Sequence, residues 1–345
     1  MKNKLNYILL VLMLNFSCVA KNSTDGETNK LEPETTSNSD TLKFTSGIRS
    51  IFQDSKGNYW FGSNREGVAL YNGNFFTYFS TNEGLTDNQI LSIQEDKNGM
   101  IWFESQNGVS SYDGKSIQDE TRGITENSKV EWMKSENDLW FGAGIKEGVY
   151  RFDGYKLSYL AFPDPERINP NNLYGVTDFS KGKNNMIWFG TYAGVFGYNG
   201  KEFRIINDET LGLDIEVEPL HIRSILEDSK GRLWIGNNGI GVLLRVGNST
   251  INFSDKNKLI HPTSGRKGDK SMPGTLEHVF TIAEDRKGNI WFGDRDAGIW
   301  KYDGIKMTNY TKKDGLTNDN ALSIFEDDKG ELWFGMEEGK VYKFN

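Results

Sequence analysis

One cysteine, Cys18, occurs in 345 residues, and that scarcity excludes an intramolecular disulfide framework. Histidine occurs three times and proline seven times. No phosphate-binding P-loop, no dinucleotide fingerprint following a strand and no His-Glu-x-x-His pair is present, so nucleotide hydrolysis, Rossmann-type redox chemistry and zincin proteolysis lack their usual signatures. Helical periodicity is missing as well. A net charge of −8 argues against a nucleic-acid footprint, which needs clustered Lys and Arg. No cofactor, no metal and no nucleic acid is therefore expected. What is abundant is glycine, 38 residues, and aromatic side chains, 13% of the chain. Many tight turns between aromatic-rich segments follow.

The first residues read differently from the rest. Lys2 and Lys4 precede the apolar run YILLVLMLNF, too short for a mature spanning helix, so residues 1–17 read as a signal peptide. The segment LNFSC resembles a bacterial lipobox, which implies that Cys18 is lipidated and anchors the mature chain to a membrane; Asn15 departs from the aliphatic residue usual there. The alternative is ordinary cleavage nearby, leaving a free thiol. Residues 18–40, polar apart from Val19, Ala20 and Leu31, read as a solvated tether.

From residue 41 to 345 one pattern returns. EDKNGMIWFESQNGVSSYDG (Glu95 to Gly114) is the clearest copy, and the tryptophans Trp60, Trp102, Trp140, Trp188, Trp234, Trp291 and Trp333 mark seven copies spaced 38 to 57 residues apart. A period near forty indicates a solenoid or propeller. Short β-branched and aromatic runs separated by turn residues make each copy extended. Asp-x-x-Gly suits a type I turn between the first two strands, and the Asn-Gly or Asp-Gly that follows the third suggests a type I′ hairpin. Four strands per copy and seven copies give an all-β, seven-bladed β-propeller in which the tryptophans pack between blades. The last copy ends at KVYKFN without a fourth strand, whereas Thr41-Leu42-Lys43-Phe44 precedes the first copy unpaired. That N-terminal strand is expected to complete the last blade and remove the exposed edge.

EGLTDNQILSIQEDKNGMIWFESQNGVSSYDG and DGLTNDNALSIFEDDKGELWFGMEEGKVYKF resemble the two-component regulator propeller repeat. The resemblance implies an extracytoplasmic sensor domain, of a kind that often senses carbohydrate. The kinase, the receiver and the membrane helix after the propeller found in many such sensors are not in this sequence, so a stand-alone lipoprotein is expected.

The repeated turn aspartates, Asp54, Asp96, Asp228, Asp285 and Asp327, read as turn residues rather than a calcium cage, which needs several oxygens converging on one point. His221 and His278 share one register on neighbouring blades, each four residues before the isoleucine of its first strand. They read as solvated loop histidines; the alternative is a metal-dependent lyase or hydrolase resembling virginiamycin B lyase-type propellers, some of which use a histidine with a metal. A scaffold within an envelope protein complex is a third reading. Three consecutive long loops hold six of the seven prolines, and the last carries Lys256, Lys258, Arg266, Lys267 and Lys270. They lie on the face built by the loops between blades and by those joining second and third strands. Ligand binding is expected there, at Arg49, Tyr174, Tyr192 and His221, together with Arg223, Asn238, His278 and Arg295. Aromatic faces with Arg and Asn donors suit a carbohydrate or small solute, and the basic loop suits an acidic one.

Overall fold

The computed structural model describes residues 41–125, 131–144, 146–163, 175–214, 218–262 and 270–344, together with residues 8 and 9. Seven antiparallel sheets, six of four strands and one of three, follow one another along the chain. The first blade contains Ile48–Gln53, Tyr59–Ser63, Val68–Tyr71 and Phe76–Phe79, in that order from the channel outward. The seventh begins with Ala321–Glu326, which packs against Ile48–Gln53 and closes the ring. The closure is polar as well as apolar. Ser323 Oγ donates to the Ile48 carbonyl at 2.8 Å, and Tyr59 Oη donates to Asp327 at 2.8 Å.

The second strand explains why the repeat reads Trp-Phe-Gly. Successive side chains leave a strand on opposite faces. Trp60 therefore packs on Ile90, Ile93 and Phe103 of the next blade, while Phe61 meets Trp333 of the preceding one. The same Trp-on-Phe step recurs at Trp102–Phe141, Trp140–Phe189, Trp234–Phe292 and Trp291–Phe334, with ring centroids 5.4 to 5.9 Å apart. Burying each indole contributes up to about 4 to 6 kcal/mol by area. The glycine follows on the Trp side, where the next blade's first strand comes close: a Cβ at Gly62 would lie 2.6 Å from Ile90 Cγ2.

The Asp-x-x-Gly turns are bonded as expected, Gly57 N–H to the Asp54 carbonyl at 2.9 Å and Gly288 N–H to that of Asp285 at 2.8 Å. Their carboxylates also accept the indole N–H six residues on, Trp60 to Asp54 at 2.9 Å, Trp234 to Asp228 at 2.8 Å and Trp333 to Asp327 at 2.9 Å. The aspartates thus lock the tryptophans. The turns after the third strand differ from the type I′ expectation. Only glycine takes positive φ there, and the preceding Asn or Asp side chain caps the turn instead, as Asp113 Oδ1 does by accepting the N–H of Lys115 and Ser116 at 2.8 Å. A carboxylate that accepts two backbone donors stabilises the turn without forcing itself into the left-handed region.

Two blades depart from four strands drawn from one copy. The third has Leu139–Gly142, Gly148–Phe152 and Leu157–Ala161, with no first strand among the described residues. In the seventh, Thr41–Phe44 is not a paired strand; Ile8–Leu9 pairs with Lys343 and Tyr342 instead. Thr41–Phe44 nevertheless ends where a fourth strand ends. The Phe44 carbonyl crowds Gly339 as the Phe79 carbonyl crowds Gly67 in blade one, and Phe44 is buried against Val341 and Trp333. By the blade-one register, Lys43 and Leu42 would oppose Tyr342 and Lys343, the two positions that Leu9 and Ile8 occupy. Both segments fit one open edge, and an edge accepts whichever apolar strand reaches it.

Candidate functional site: the channel mouth

All six first strands among the described residues carry a bulge at one position, where the register slips by a residue. The extra residues are Arg49, Leu91, Thr177, Arg223, Phe280 and Leu322. A bulge leaves one residue unpaired and re-aims its side chain. Five of these side chains, all but Leu322, line one cavity of about 240 Å³ in the channel. Gln89, Gln106 and Tyr192 complete its mouth, so it opens on the face of the inter-blade and second-to-third-strand loops.

Of the eight sequence-predicted residues, Arg49, Tyr192 and Arg223 meet in this cavity. The Arg223 guanidinium lies between two rings, 5.1 Å from the Tyr192 centroid and 5.0 Å from that of Phe280. Its Nη1 donates to Tyr192 Oη at 3.4 Å, while its buried Nε has no hydrogen-bond partner among the described residues. Burial and then the Arg223 charge lower the Arg49 pKa, against weaker support from Tyr192, Glu337 and Glu104. Two like charges are held at one mouth.

His221 stands behind them, its ring edge-on to Tyr192 at 5.2 Å. Burial, then Arg223, His278 and Arg295, pull its pKa down to about 4, so it is neutral at pH 7. The expectation of two solvated histidines is not met. His278 is fully buried, with Nδ1 2.7 Å from Ser271 Oγ, which in turn donates to Asp294 at 2.9 Å. It fastens the long fifth-to-sixth-blade loop to the sheet. Asn238 pairs with His278 through a β-bridge and accepts from Arg295 Nη1 at 3.4 Å, while Arg295 Nε donates to Asp296 at 2.8 Å. These three form a neighbouring rim cluster, outside the cavity lining. Tyr174 lies outside the described residues, as do Pro165, Pro170, Arg266 and Lys267. Among the described residues no group of three His, Cys, Asp or Glu side chains could hold a metal.

Sequence reasoning missed Glu104. In the other six second strands this position is glycine; here a carboxylate enters the blade-two/blade-three interface, where the first strand of blade three would sit. Glu104 accepts the Ser92 hydroxyl at 2.6 Å and the Gly142 backbone N–H, while Gln94 Nε2 donates to the Trp140 carbonyl at 2.7 Å. Two blade-two side chains thus satisfy the open edge of Leu139–Gly142. Burial pushes the Glu104 pKa up to about 7, against hydrogen bonds from Ser92 and Gly142 and the Arg49 charge. The bulge residues Leu91, Thr177 and Phe280 were missed too. Their signal was available: each is the residue between an aliphatic and a Ser, Thr or Asp at the start of a repeat, as in Ile48-Arg49-Ser50.

The fold and cavity define a closed β-propeller with a cationic, aromatic-walled channel mouth. The chain carries the two component regulator propeller repeat, whose family model matches residues 43–65, 84–103, 218–239, 274–296 and 315–338. No curated protein matches it. Among solved structures it is similar to the extracellular domain of BT3049 from B. thetaiotaomicron, described as a hybrid two component system, at 21% identity and a TM-score of 0.64 over 87% of this chain and 39% of that one. A catalytically inactive virginiamycin B lyase from Staphylococcus aureus, solved with quinupristin, matches at 15% identity and a TM-score of 0.62 over 89% of this chain and 97% of the lyase. PorZ of Porphyromonas gingivalis, a surface component of the type-IX secretion system, matches at 18% identity and a TM-score of 0.60 over 92% of this chain and 48% of PorZ. The chain thus spans about two fifths of the BT3049 domain. At these identities the likeness establishes the fold.

Proposed function

We propose that the chain is an extracytoplasmic, sensor-like binding propeller, held at a bacterial envelope membrane by lipid on Cys18, which recognises a carbohydrate or small solute at the channel mouth. The observation that carries this reading is the cavity itself: about 240 Å³, walled by Tyr192 and Phe280, with Arg49 and Arg223 converging on it. Drug-sized ligands use pockets of about 300–1,000 Å³, so a solute of monosaccharide size fits better than a polymer. The similarity to a sensor's extracellular domain supports the same placement. The lyase alternative is less favoured, because His278 is fully buried and engaged through Nδ1 with Ser271 rather than among the residues lining the cavity.

A thermal-shift screen of the soluble propeller against glycans and small solutes tests the reading, since a ligand at a hundred times its Kd adds about 2.7 kcal/mol. Tyr192→Ala should abolish the shift while lowering stability by less than about 1 kcal/mol. A ligand that stabilises Tyr192→Ala as strongly as the parent protein binds elsewhere and refutes the site.

A further inference from the structure

We propose that the channel mouth is an anion site that takes one carboxylate of a small hydroxylated acid between the guanidinium groups of Arg49 and Arg223. The inference rests on the reading that a solute occupies this cavity, and narrows it to acids. Both arginines stand at the same bulge position, on blades one and five, and face one space. Neither has a carboxylate within ion-pair distance among the described residues. Guanidinium groups withdrawn from water need charged partners, and a planar fork matches a carboxylate with two parallel hydrogen bonds.

Arg223 is pre-positioned for this. Stacking between Tyr192 and Phe280 fixes its plane, so little rotamer freedom is lost on binding. A monoanion is the smallest charge that answers this pair: Glu337 and Glu104, the acids whose charges act on Arg49, both have proton affinities raised, first by burial, and so compensate the two cations incompletely. Gln89, Gln106 and Thr177, also in the lining, supply amide and hydroxyl partners for a polyhydroxylated body.

The test uses D-glucuronate and D-galacturonate, their neutral parents glucose and galactose, acetate and inorganic phosphate, at matched ionic strength. Calorimetric titration of the propeller should show saturable binding of at least one uronate, weaker binding of acetate, and at least a tenfold loss of affinity in Arg49→Gln and in Arg223→Gln. Arg223→Lys should lie between, because charge survives and the fork does not. Without ligand, neither Gln variant should melt lower than the parent, since each relieves a repulsion. If the neutral sugars bind and the uronates do not, or if the Gln variants bind uronates unchanged, the anion site is wrong and the solute reading stands. Tighter binding of phosphate than of any carboxylate overturns the monoanion assignment. If no probe binds the parent protein, the inference fails, and the solute reading falls separately only when the wider glycan and solute screen is also blank.

Discussion

Replacing Glu104 by Gln keeps an acceptor for the Gly142 N–H and Ser92 hydroxyl but removes the titration. The group is 4% exposed, and burial raises its pKa from 4.5 to about 7. A raised carboxylate makes the folded protein hold more protons than the unfolded chain, so its contribution is fully present below about pH 4.5 and is lost as pH rises through about 7. At 1.36 kcal/mol per pKa unit, the loss at pH 8 is about 3 kcal/mol. Glu104→Gln should therefore match the parent protein near pH 4.5 and exceed it by about 3 kcal/mol near pH 8. Asp178 and Asp294, raised to about 6 chiefly by burial, and His221, lowered to about 4, are present in both proteins and largely cancel in the difference. Urea unfolding at pH 4.5, 6 and 8 reads this out, with the m-value checking that neither end state has changed. A stability difference that stays flat with pH means that Glu104 is already ionised in the folded protein, and the account of the blade-three edge collapses.

Two further outcomes follow from the N-terminal segments. A propeller beginning at Thr45 should be less stable than one beginning at Thr41 by at least the burial of Phe44, about 2 to 3 kcal/mol, so its melting temperature should fall; equal melting shows that Thr41–Phe44 does not close the ring. Cys18→Ser should release soluble protein or accumulate unprocessed precursor, and an unchanged membrane fraction argues against the lipid anchor.

The strands were legible because their chemistry repeats. A buried indole, an aspartate six residues before it and a glycine two residues after it constrain one another: Asp228 loses ground to burial but is held below the ordinary range by Trp234 and Arg232, which donate to it. Such a unit leaves the same mark in each copy. The closing strand was only partly legible, since the edge of Val341–Phe344 specifies an apolar partner without specifying which one. His278 was misread because its burial comes from a long loop folding back through Ser271, a contact seven residues away that no local pattern encodes.

The channel mouth follows the opposite logic, and that difference separates the site from the scaffold. At the start of the first strands, the flanking residues repeat as Ile48 and Ser50, Ile222 and Ser224, Val279 and Thr281, because one packs between blades and the other enters the ladder after the bulge. The residue between them is Arg49, Leu91, Thr177, Arg223, Phe280 or Leu322, six positions with one backbone geometry and four side-chain types. Packing cannot dictate that variety, since the bulge has already released the side chain from the sheet. The open edge of blade three adds a second asymmetry. Among the described residues no first strand contributes a bulge residue there, and Glu104 and Gln94 reach the edge from blade two. Repetition builds a rigid wall, and each departure from it changes what the channel presents to a ligand. The two arginines, placed four blades apart in sequence and facing one cavity, are the departures with the most charge, so the mouth's selectivity should follow them rather than the loops that vary most in length.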